Sequence, residues 1–370
     1  MAITRLGPNQ DITAAKIAGT INFKNLIING DMSLAQRGTS FSFSSSSGYT
    51  VDRFDFTQTS GATGDCTITQ EADAPSNTGL VKSVKIAVDT AETPTGSGNC
   101  VFQQGIEGFN CAPLEHGQSS PPSATLSFWV KSNKTGTYSV QIKAQGSTGR
   151  YVLFDYTISS ANTWEKKTIT WVGDTSIALN YDNSNQLRVI WHLASGPDDK
   201  VSPTSSWVTS SSLQMSSNAV NFFDSASNEI YFTGVQLEVG TSASDFEFLP
   251  YDVNLQRCKR YFQILGDNKS GTANEPIVNA SNYNGTYTTG AYLFNPVMRT
   301  APTITSVSGT DYYGFVANSQ SDNANSLSGT QTSNRSTQLF NNGDISGTAG
   351  QAGYWETKNN SAKVTADAEL

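Results

Sequence analysis

Four stretches between residues 124 and 194 alternate between apolar and more polar side chains, and this pattern constrains the fold more than any other feature. They read ATLSFWVKS (124–132), YSVQIKAQ (138–145), RYVLFDYTI (150–158) and LRVIWHLA (187–194). Successive side chains of a β-strand point to opposite faces of its sheet, so a period of two predicts strands. One face is consistently apolar, which predicts a sheet with one side on a core and one side wetter.

Further strand-like segments surround these four, and turns rich in Gly, Ser, Asn and Asp separate them. Together they give about nine strands between residues 23 and 240, which predicts an all-β fold that begins with a jelly-roll β-sandwich. The additional segments read NLIIN, VKSVKIAV, CVFQQGIEGF, WEKKTITW and EIYFTGVQLEV.

Helical periodicity is confined to two short segments. ITAAKIA (12–18) lies between Asp11, a suitable N-cap, and Gly19, a suitable C-terminal cap. VNLQRCKRYF (253–262) fits either a short helix or a strand.

Strand-like segments become shorter after Tyr251, and long Ser- and Asn-rich stretches separate them. This change predicts a smaller C-terminal β-sandwich domain with open loops. The stretch from 234 to 262 crowds aromatic and charged residues, so we expect a stiff junction, because flexible linkers are rich in Gly and Ser. The expected parts are an N-terminal anchoring arm (1–22), a jelly-roll, carbohydrate-binding-like domain (23–252) and a C-terminal β domain (253–370).

The charge of the chain argues against a nucleic-acid partner. The net charge is −8, the sequence pI is about 4.8 and no basic stripe is visible. Only 15% of residues are charged, so the polar surface consists mainly of Ser, Thr, Asn and Gln. Such uncharged donors and acceptors suit neutral polar ligands such as glycans.

Several other classes of protein are also disfavoured. The chain has four scattered cysteines and two histidines, without the clustering that a zinc site requires, so we expect no metal and no cofactor. Cys100 and Cys111 could meet across a hairpin, or all four thiols could be free and buried. No apolar run reaches about 18 residues, and MAITRLGPNQ lacks the features of a secretory signal. We therefore expect synthesis in a cytosol and no membrane insertion.

The wetter side of the four alternating strands is the candidate binding surface. Aromatic rings stack on the apolar face of a pyranose while neighbouring polar groups bond its hydroxyls. Two alternatives are that this face is an oligomer interface or that a loop covers it. Trp171 and Trp191 share the side of their apolar neighbours and are expected in the core. The predicted glycan-binding residues are Trp129, Lys131, Gln141, Lys143, Tyr151, Asp155, Arg188 and His192.

The sequence contains no strong catalytic motif. There is no Gly-x-Ser-x-Gly elbow and no phosphate-binding loop. Glu107, Asp155 and Glu165 could be imagined as a glycosidase pair, but their spacing along the chain does not give the separation in space that such a pair requires. We therefore expect a protein that is not an enzyme.

Several ordered motifs between Lys24 and Leu370 resemble a known family. The opening KNLIINGDMSLAQRGTS and YTVDRF is followed by FQQGIEGFN, ATLSFWVKSNKTGTYSVQI and FDYTISSANTWEKKTITW, and then by GVQLEVGTSASDFEFLPY and LQRCKRYF. NPVMRTAPTIT and TADAEL resemble the family's small C-terminal domain. The resemblance is to bacteriophage tail fibres and receptor-binding proteins with a jelly-roll domain like that of carbohydrate-binding modules.

This resemblance implies a virion protein, assembled in the host cytoplasm, that attaches to host cell-surface polysaccharide and is often a homotrimer. It also raises the question of calcium, because related modules often hold this ion with acidic residues on their first and last strands. Asp31 follows NLIING, but the last strand reads FTGVQLE without an Asp at the usual place.

The short N-terminal arm departs from the family pattern, in which a long stalk usually precedes this domain. We expect the arm to dock into another virion protein, in the tail, an adaptor or the capsid, through Ile12, Ala15 and Ile17, although a frayed terminus is an alternative. A structural decoration protein of capsid or tail, without receptor binding, is the alternative function. A glycan-degrading tailspike is a third, disfavoured because no internal repeat is visible.

Overall fold

The computed structural model describes residues 23–146, 148–268 and 274–370, and nearly all of its regular structure is β. The predicted all-β fold, a jelly-roll sandwich followed by a smaller C-terminal β-sandwich, is confirmed. The helix predicted at residues 12–18 lies outside the described residues. Neither described α-helix has the length and apolar character that a membrane crossing requires.

The first sandwich consists of two antiparallel sheets, and the chain crosses repeatedly between them. The first sheet has the order β1-β4-β5-β15-β7-β10, and the second has the order β13-β9-β8-β11-β6-β3-β2. The first sheet contains β1 (Ser40–Ser44), β4 (Asp65–Glu71), β5 (Ser83–Val88), β7 (Ser123–Ser132), β10 (Glu165–Val172) and β15 (Glu229–Val239). The second contains β2 (Gly48–Tyr49), β3 (Asp55–Gln58), β6 (Asn99–Glu107), β8 (Gly136–Ala144), β9 (Arg150–Ile158), β11 (Asn185–Ser195) and β13 (Thr204–Thr209). A short parallel pair, β12 (Lys200–Val201) and β14 (Met215–Ser216), lies beside them.

The core of this sandwich is aromatic, as the alternation predicts. Trp191 from β11 packs edge-on against Phe128 from β7, with ring centroids 5.5 Å apart, and Phe102 stacks on Phe232 at 5.7 Å. Such ring pairs each contribute about 0.5–1.5 kcal/mol beyond the area they bury. Trp171 and Trp191 are both buried, which confirms their predicted place in the core.

The four alternating strands do not share one sheet, contrary to the expectation from sequence. β8, β9 and β11 are neighbours in the second sheet, whereas β7 pairs with β10 and β15 in the first. Alternation reports which side of a strand is apolar, but it carries no information on which strands pair. The polar sides of β7 and of the other three strands therefore face away from the sandwich in opposite directions.

The C-terminal part has a three-stranded sheet, β16-β25-β19, packed on a seven-stranded sheet, β21-β20-β24-β17-β18-β23-β22. Its own hydrophobic cluster includes Trp355, Tyr313, Leu339 and Val364. The strands are β16 (Phe262–Asp267), β17 (Glu275–Asn282), β18 (Tyr287–Leu293), β19 (Thr303–Ser306), β20 (Tyr313–Ala317), β21 (Gln320–Ala324), β22 (Ser328–Thr330), β23 (Ser336–Asn342), β24 (Ala352–Thr357) and β25 (Lys363–Asp367).

The junction contains a short helix followed at once by a strand. The described α-helices are α1 (Gly108–Cys111) and α2 (Tyr251–Lys259), and β16 begins three residues after α2 ends, so 253–262 is mainly helical. A third small cluster joins Ile28 and Leu34 to Cys258 and Tyr261 across this junction. The predicted boundary between 252 and 253 falls in the first turn of α2, and the division into domains stays a prediction.

Candidate functional site

The eight predicted glycan-binding residues lie on two opposite faces of the first sandwich. Trp129 and Lys131 belong to the outer side of the first sheet, since their neighbours Phe128 and Val130 are in the core. The other six lie on the outer side of the second sheet, on β8, β9 and β11. A single ligand-binding face that includes all eight residues does not exist in this structure.

On the first sheet, Lys131 is already engaged by its neighbours. Its ammonium group forms an ion pair with Asp73 and lies 4.1 Å from the ring centroid of Tyr231. Trp164, which also borders this ammonium group, donates its indole N–H to Asp73 at 3.0 Å. Trp129 is half-buried beside these residues. The cluster thus holds the ammonium group of Lys131 between a carboxylate and two aromatic rings of its own face.

On the second sheet, a covering segment formed by residues 211–216 lies over part of the outer face. Lys143 Nζ donates to the carbonyl oxygen of Ser211, and Gln141 Nε2 donates to that of Ser212 at 3.4 Å. His192 is fully buried. The exposure assumed for these residues is therefore corrected, because a loop covers this part of the face, which was one of the two alternatives.

Tyr151 is buried as well, and its strand β9 pairs with β13 at the edge of the sheet. Ligand access to Tyr151, Gln141, Lys143 and His192 requires movement of the chain that covers them. Their role in glycan contact stays a prediction.

Burial controls the charge of two groups under this cover. Burial and, secondarily, the charge of Lys143 lower the pKa of His192 to about 3, so its imidazole is neutral near pH 7. Burial also lowers the pKa of Lys143, and the nearby charge of Arg188 lowers it further.

Asp155 and Arg188 lie at the edges of the covered area. Asp155 accepts a hydrogen bond from Asn218 Nδ2 at 2.8 Å on one oxygen, while its other oxygen has no hydrogen-bond partner among the described residues. No hydrogen bond or ion pair joins the guanidinium of Arg188 to another residue in the described ranges. Arg188 lines an open groove, and it is the only one of the eight predicted residues that does.

This groove crosses the uncovered half of the second sheet, over β2, β3, β6 and β11, and has a volume of about 250 Å³. We call it the polar groove; it contains no part of the covering segment. Strand pairing places Asp55 opposite Gln103 and Arg188 opposite Gly105. The lining residues are Ser47, Gly48, Tyr49, Asp55, Thr57, Gln103, Gly105, Asn185, Arg188 and Leu370.

A hydrogen-bond network fixes the floor of the polar groove. Gln103 Nε2 donates to Asp55 Oδ2 at 2.9 Å and to Thr57 Oγ1 at 3.1 Å. Burial raises the pKa of Asp55, against the opposing effect of these hydrogen bonds and of the charge of Arg188. The two hydrogen bonds donated by Nε2 therefore fix the orientation of the Gln103 amide. Its carbonyl oxygen takes no part in this network.

Two buried acceptors in the polar groove have no partner among the described residues. They are the side-chain oxygens of Gln103 and Asn185. Buried acceptors without a donor are costly, so such a site favours a ligand that supplies O–H or N–H groups. Gly105 keeps the groove open, because a Cβ at this position would lie 2.7 Å from the amide nitrogen of Asn185.

Tyr49 forms one wall of the polar groove and donates its hydroxyl to the carbonyl oxygen of Leu370 at 2.8 Å. Burial and the charge of Asp55 raise the pKa of Tyr49 to about 12, so its phenol remains neutral. The groove thus combines an aromatic ring, a carboxylate, a guanidinium and two free acceptors.

The carboxylates considered for catalysis are engaged by different partners in separate parts of the structure. Glu107 is buried and accepts hydrogen bonds from Tyr261 at 2.6 Å and from Arg260. Glu165 is paired with Lys167. Within the described ranges, no group of three or more His, Cys, Asp or Glu residues could hold a metal ion, and Asp31 belongs to no such group.

No family model and no curated sequence matches the chain. Among solved structures, it is similar to the enzymatically active domain of tailspike protein 4 from bacteriophage CBA120, with 16% identity, a TM-score of 0.33, and coverage of 59% of this chain and 22% of that one. The chain thus spans about a fifth of the length of that tailspike domain.

Two shorter proteins are also similar. The family 11 carbohydrate-binding module from Clostridium thermocellum, solved with a β-1,3-1,4-mixed-linked tetrasaccharide, has 11% identity and a TM-score of 0.28 over 56% of this chain and 98% of its own. The N-terminal cellulose-binding domain of Cellulomonas fimi β-1,4-glucanase C has 9% identity and a TM-score of 0.27 over 48% and 90%.

Proposed function

We propose that this protein is a phage virion fibre protein that binds host cell-surface glycans through the polar groove. The observation that carries the proposal is the buried, partnerless carbonyl oxygen of Gln103 at the floor of an open groove. A sugar hydroxyl is a donor of the right size for this oxygen. The guanidinium of Arg188 supplies donors to ring and hydroxyl oxygens, and Asp55 supplies an acceptor.

The dimensions and charge of the groove support a neutral sugar ligand. Its volume of about 250 Å³ suits a single sugar ring more than an extended oligosaccharide. Tyr49 offers an aromatic surface, which suits the apolar face of a pyranose. The groove contains both a basic and an acidic side chain, Arg188 and Asp55, which can donate to and accept from the hydroxyls of a neutral sugar.

Attachment by one such groove is weak, so we further propose that the protein acts as a homotrimer on the virion. Linked weak sites can gain about 100-fold or more in avidity without any new contact. The N-terminal arm, with Ile12, Ala15 and Ile17, mounts the protein on the tail, an adaptor or the capsid in this proposal.

The test is adsorption of the purified protein to host cells and to their isolated surface polysaccharide. We expect Arg188→Ala and Gln103→Leu to reduce adsorption at least about tenfold, which corresponds to about 1.4 kcal/mol. Arg335→Ala is the control for loss of an arginine, because Arg335 is exposed and lies in the C-terminal part, away from the groove, whereas Arg188 is half-buried. Its adsorption should equal that of the wild type.

The other outcomes separate the alternatives. Loss of adsorption in Trp129→Ala, with Arg188→Ala unaffected, would place the site on the first sheet. No adsorption by the wild-type protein would favour a decoration protein without receptor binding. Release of new reducing ends from the polysaccharide would identify a glycan-degrading spike.

A further inference from the structure

A second pocket lies at one end of the first sandwich and shares no lining residue with the polar groove. It has a volume of about 540 Å³ and lies between the turn at residues 108–120 and the loop at residues 178–181. His116 forms part of its lining, and Tyr181 stands at its rim. We call it the end pocket.

Close backbone contacts hold the two walls of the end pocket in place. Phe109 N donates to Asp182 O at 2.8 Å, and Gly117 N donates to Asp174 O at 2.7 Å. Gly117 has a φ of +85°, and a Cβ there would lie 2.6 Å from the backbone nitrogen of Ala178. The two loops therefore meet at a distance that only glycine permits, and the pocket between them is preformed.

His116 is the group that points to a ligand. His116 is only 5% exposed, yet neither ring nitrogen has a hydrogen-bond partner among the described residues. Trp207 fixes the ring from one side, edge-on, at 5.0 Å between centroids. Burial lowers the pKa of His116 to about 4, against the smaller opposing effect of Asp174, so the ring is neutral near pH 7.

A neutral imidazole has one N–H donor and one acceptor nitrogen, and here both are unpaired. An ammonium group can only donate and would leave the N–H unpaired. A carboxylate or phosphate can only accept, and it would also meet the carboxylate of Glu115 in the same pocket. A hydroxyl group both donates and accepts, so neighbouring hydroxyls can pair both nitrogens.

Other polar side chains that line the end pocket also lack hydrogen-bond partners. The side chains of Glu115, Gln118, Ser119 and Ser120 make no hydrogen bond to any residue in the described ranges. Tyr181 is 71% exposed, and its ring is held by an edge-on contact with Phe109 at 4.9 Å between centroids. A fixed, exposed ring beside free donors and acceptors suits the apolar face of a sugar ring.

We propose that the end pocket is a second saccharide-binding site, which takes a neutral, polyhydroxylated sugar unit with its hydroxyls paired to His116. This inference extends the proposed function and rests on it for the biological source of the sugar. It adds a second contact point for a branched or long surface glycan, at a site different from the polar groove.

The experiment is saturation-transfer NMR on the full chain with four probes: the methyl α-pyranosides of glucose, galactose and mannose, and methyl N-acetyl-β-D-glucosaminide. We expect at least one probe to bind, with a dissociation constant on the order of millimolar. His116→Phe keeps the ring contact with Trp207 but removes both nitrogens, and we expect it to weaken binding at least tenfold.

A second variant covers the case in which His116→Phe fails to fold. Ser119→Trp fills the pocket from its exposed rim and should also weaken binding at least tenfold. Ser160→Trp, in the exposed turn after β9, is the matched control for an added indole and should leave binding unchanged. All pocket variants are compared in the Arg188→Ala background, so that sugar binding in the polar groove does not contribute to the signal.

The proposal is overturned if no probe binds the Arg188→Ala variant, or if binding to that variant survives the addition of Ser119→Trp. It is also overturned if sodium glucuronate binds the pocket more tightly than the neutral probes. Loss of all probe binding in Arg188→Ala, with binding by the wild type, would overturn the end pocket and leave the polar groove standing. Loss of probe binding in the pocket variants, with cell adsorption insensitive to Arg188→Ala, would overturn the polar groove and leave the end pocket standing.

Discussion

Arg53 and Glu369 form an almost completely buried ion pair between the first sandwich and the end of the C-terminal part, 316 positions apart in the chain. Their side chains are 1% and 3% exposed. The guanidinium of Arg53 also donates to Gly105 O at 2.8 Å and lies 3.5 Å from the ring centroid of Tyr261. Glu369 also lies 3.3 Å from the guanidinium of Arg37, whereas Arg53 forms no other ion pair among the described residues.

We predict that Glu369→Gln lowers the free energy of unfolding by about 3–5 kcal/mol, because it leaves a buried arginine without its carboxylate. Urea unfolding followed by tryptophan fluorescence measures this value. Asp224→Asn is the control, since Asp224 pairs with Lys134 at the surface, with side chains 46% and 21% exposed. It should cost less than about 1 kcal/mol. Equal losses in the two variants would contradict the prediction.

Stability should fall as the pH falls through about 6.5, because His192 and His116 are neutral and buried in the folded protein. Burial lowers their pKa values to about 3 and about 4, so only the unfolded chain binds protons in this range. Between pH 7.5 and 5.5, each histidine removes about 1.4 kcal/mol from the free energy of unfolding.

His192→Gln should halve this loss in urea unfolding at the two pH values. The groups that face His192 are Gln141 and Lys143, and the charge near His116 is Asp174, which opposes the shift only in part. A stability that is constant from pH 7.5 to 5.5 would show that the two imidazoles are accessible to protons.

All four cysteines should be unreactive in the folded protein. Cys66, Cys100, Cys111 and Cys258 are free and buried, so the disulfide considered between Cys100 and Cys111 is absent from the structure. Burial raises the pKa of every one of these thiols, that of Cys111 to about 12, which suppresses the reactive thiolate. Ellman's reagent at pH 8 should detect no fast thiol before denaturation and four after it. A fast native thiol would contradict this burial.

We predict a homotrimer, from the fibre resemblance and from the avidity that several weak sites provide. Light scattering at micromolar concentration should give three times the chain mass of 39.6 kDa. A monomer at this concentration would be inconsistent with the proposed mode of attachment.

Deletion of residues 2–20 should leave thermal unfolding of the purified protein nearly unchanged and abolish its incorporation into particles. The expectation follows from the apolar residues Ile12, Ala15 and Ile17, which we expect to dock into another virion protein. Copy number on purified virions is the measurement. Normal copy number of the truncated protein would mean that the sandwich itself makes the attachment.

Much of the fold was predictable from sequence because strand alternation depends on local physics. Phe128 and Trp191 are apolar residues in alternating segments, and both lie in the core. Strand pairing is not local, so the alternation of β7 did not reveal that it belongs to the other sheet. The covering segment was not predictable in detail, because the carbonyl groups of Ser211 and Ser212 do the covering and every residue has a carbonyl group.

The sequence predicted only part of the polar groove, because the groove also depends on strand pairing, which is not local. Arg188 was among the predicted residues, but Asp55 and Gln103 were missed because they are 48 positions apart and meet only through strand pairing. A usable signal was present: in CVFQQGIEGF, Gln103 follows the core residue Phe102 and must point outward. His116 gave no such signal, since its isolation from ring-nitrogen partners is a property of the folded loops.

The distance in sequence between Arg53 and Glu369 also has a consequence for synthesis of the protein. At about 5–20 residues per second, the ribosome takes roughly 15–60 s to add the 316 residues between them. During this interval Arg53 has no carboxylate partner, and Tyr261, whose ring lies over its guanidinium, is also absent for most of the time. The ion pair therefore forms only after the C-terminal part has been synthesised, and the nascent first sandwich lacks its contribution to stability until then.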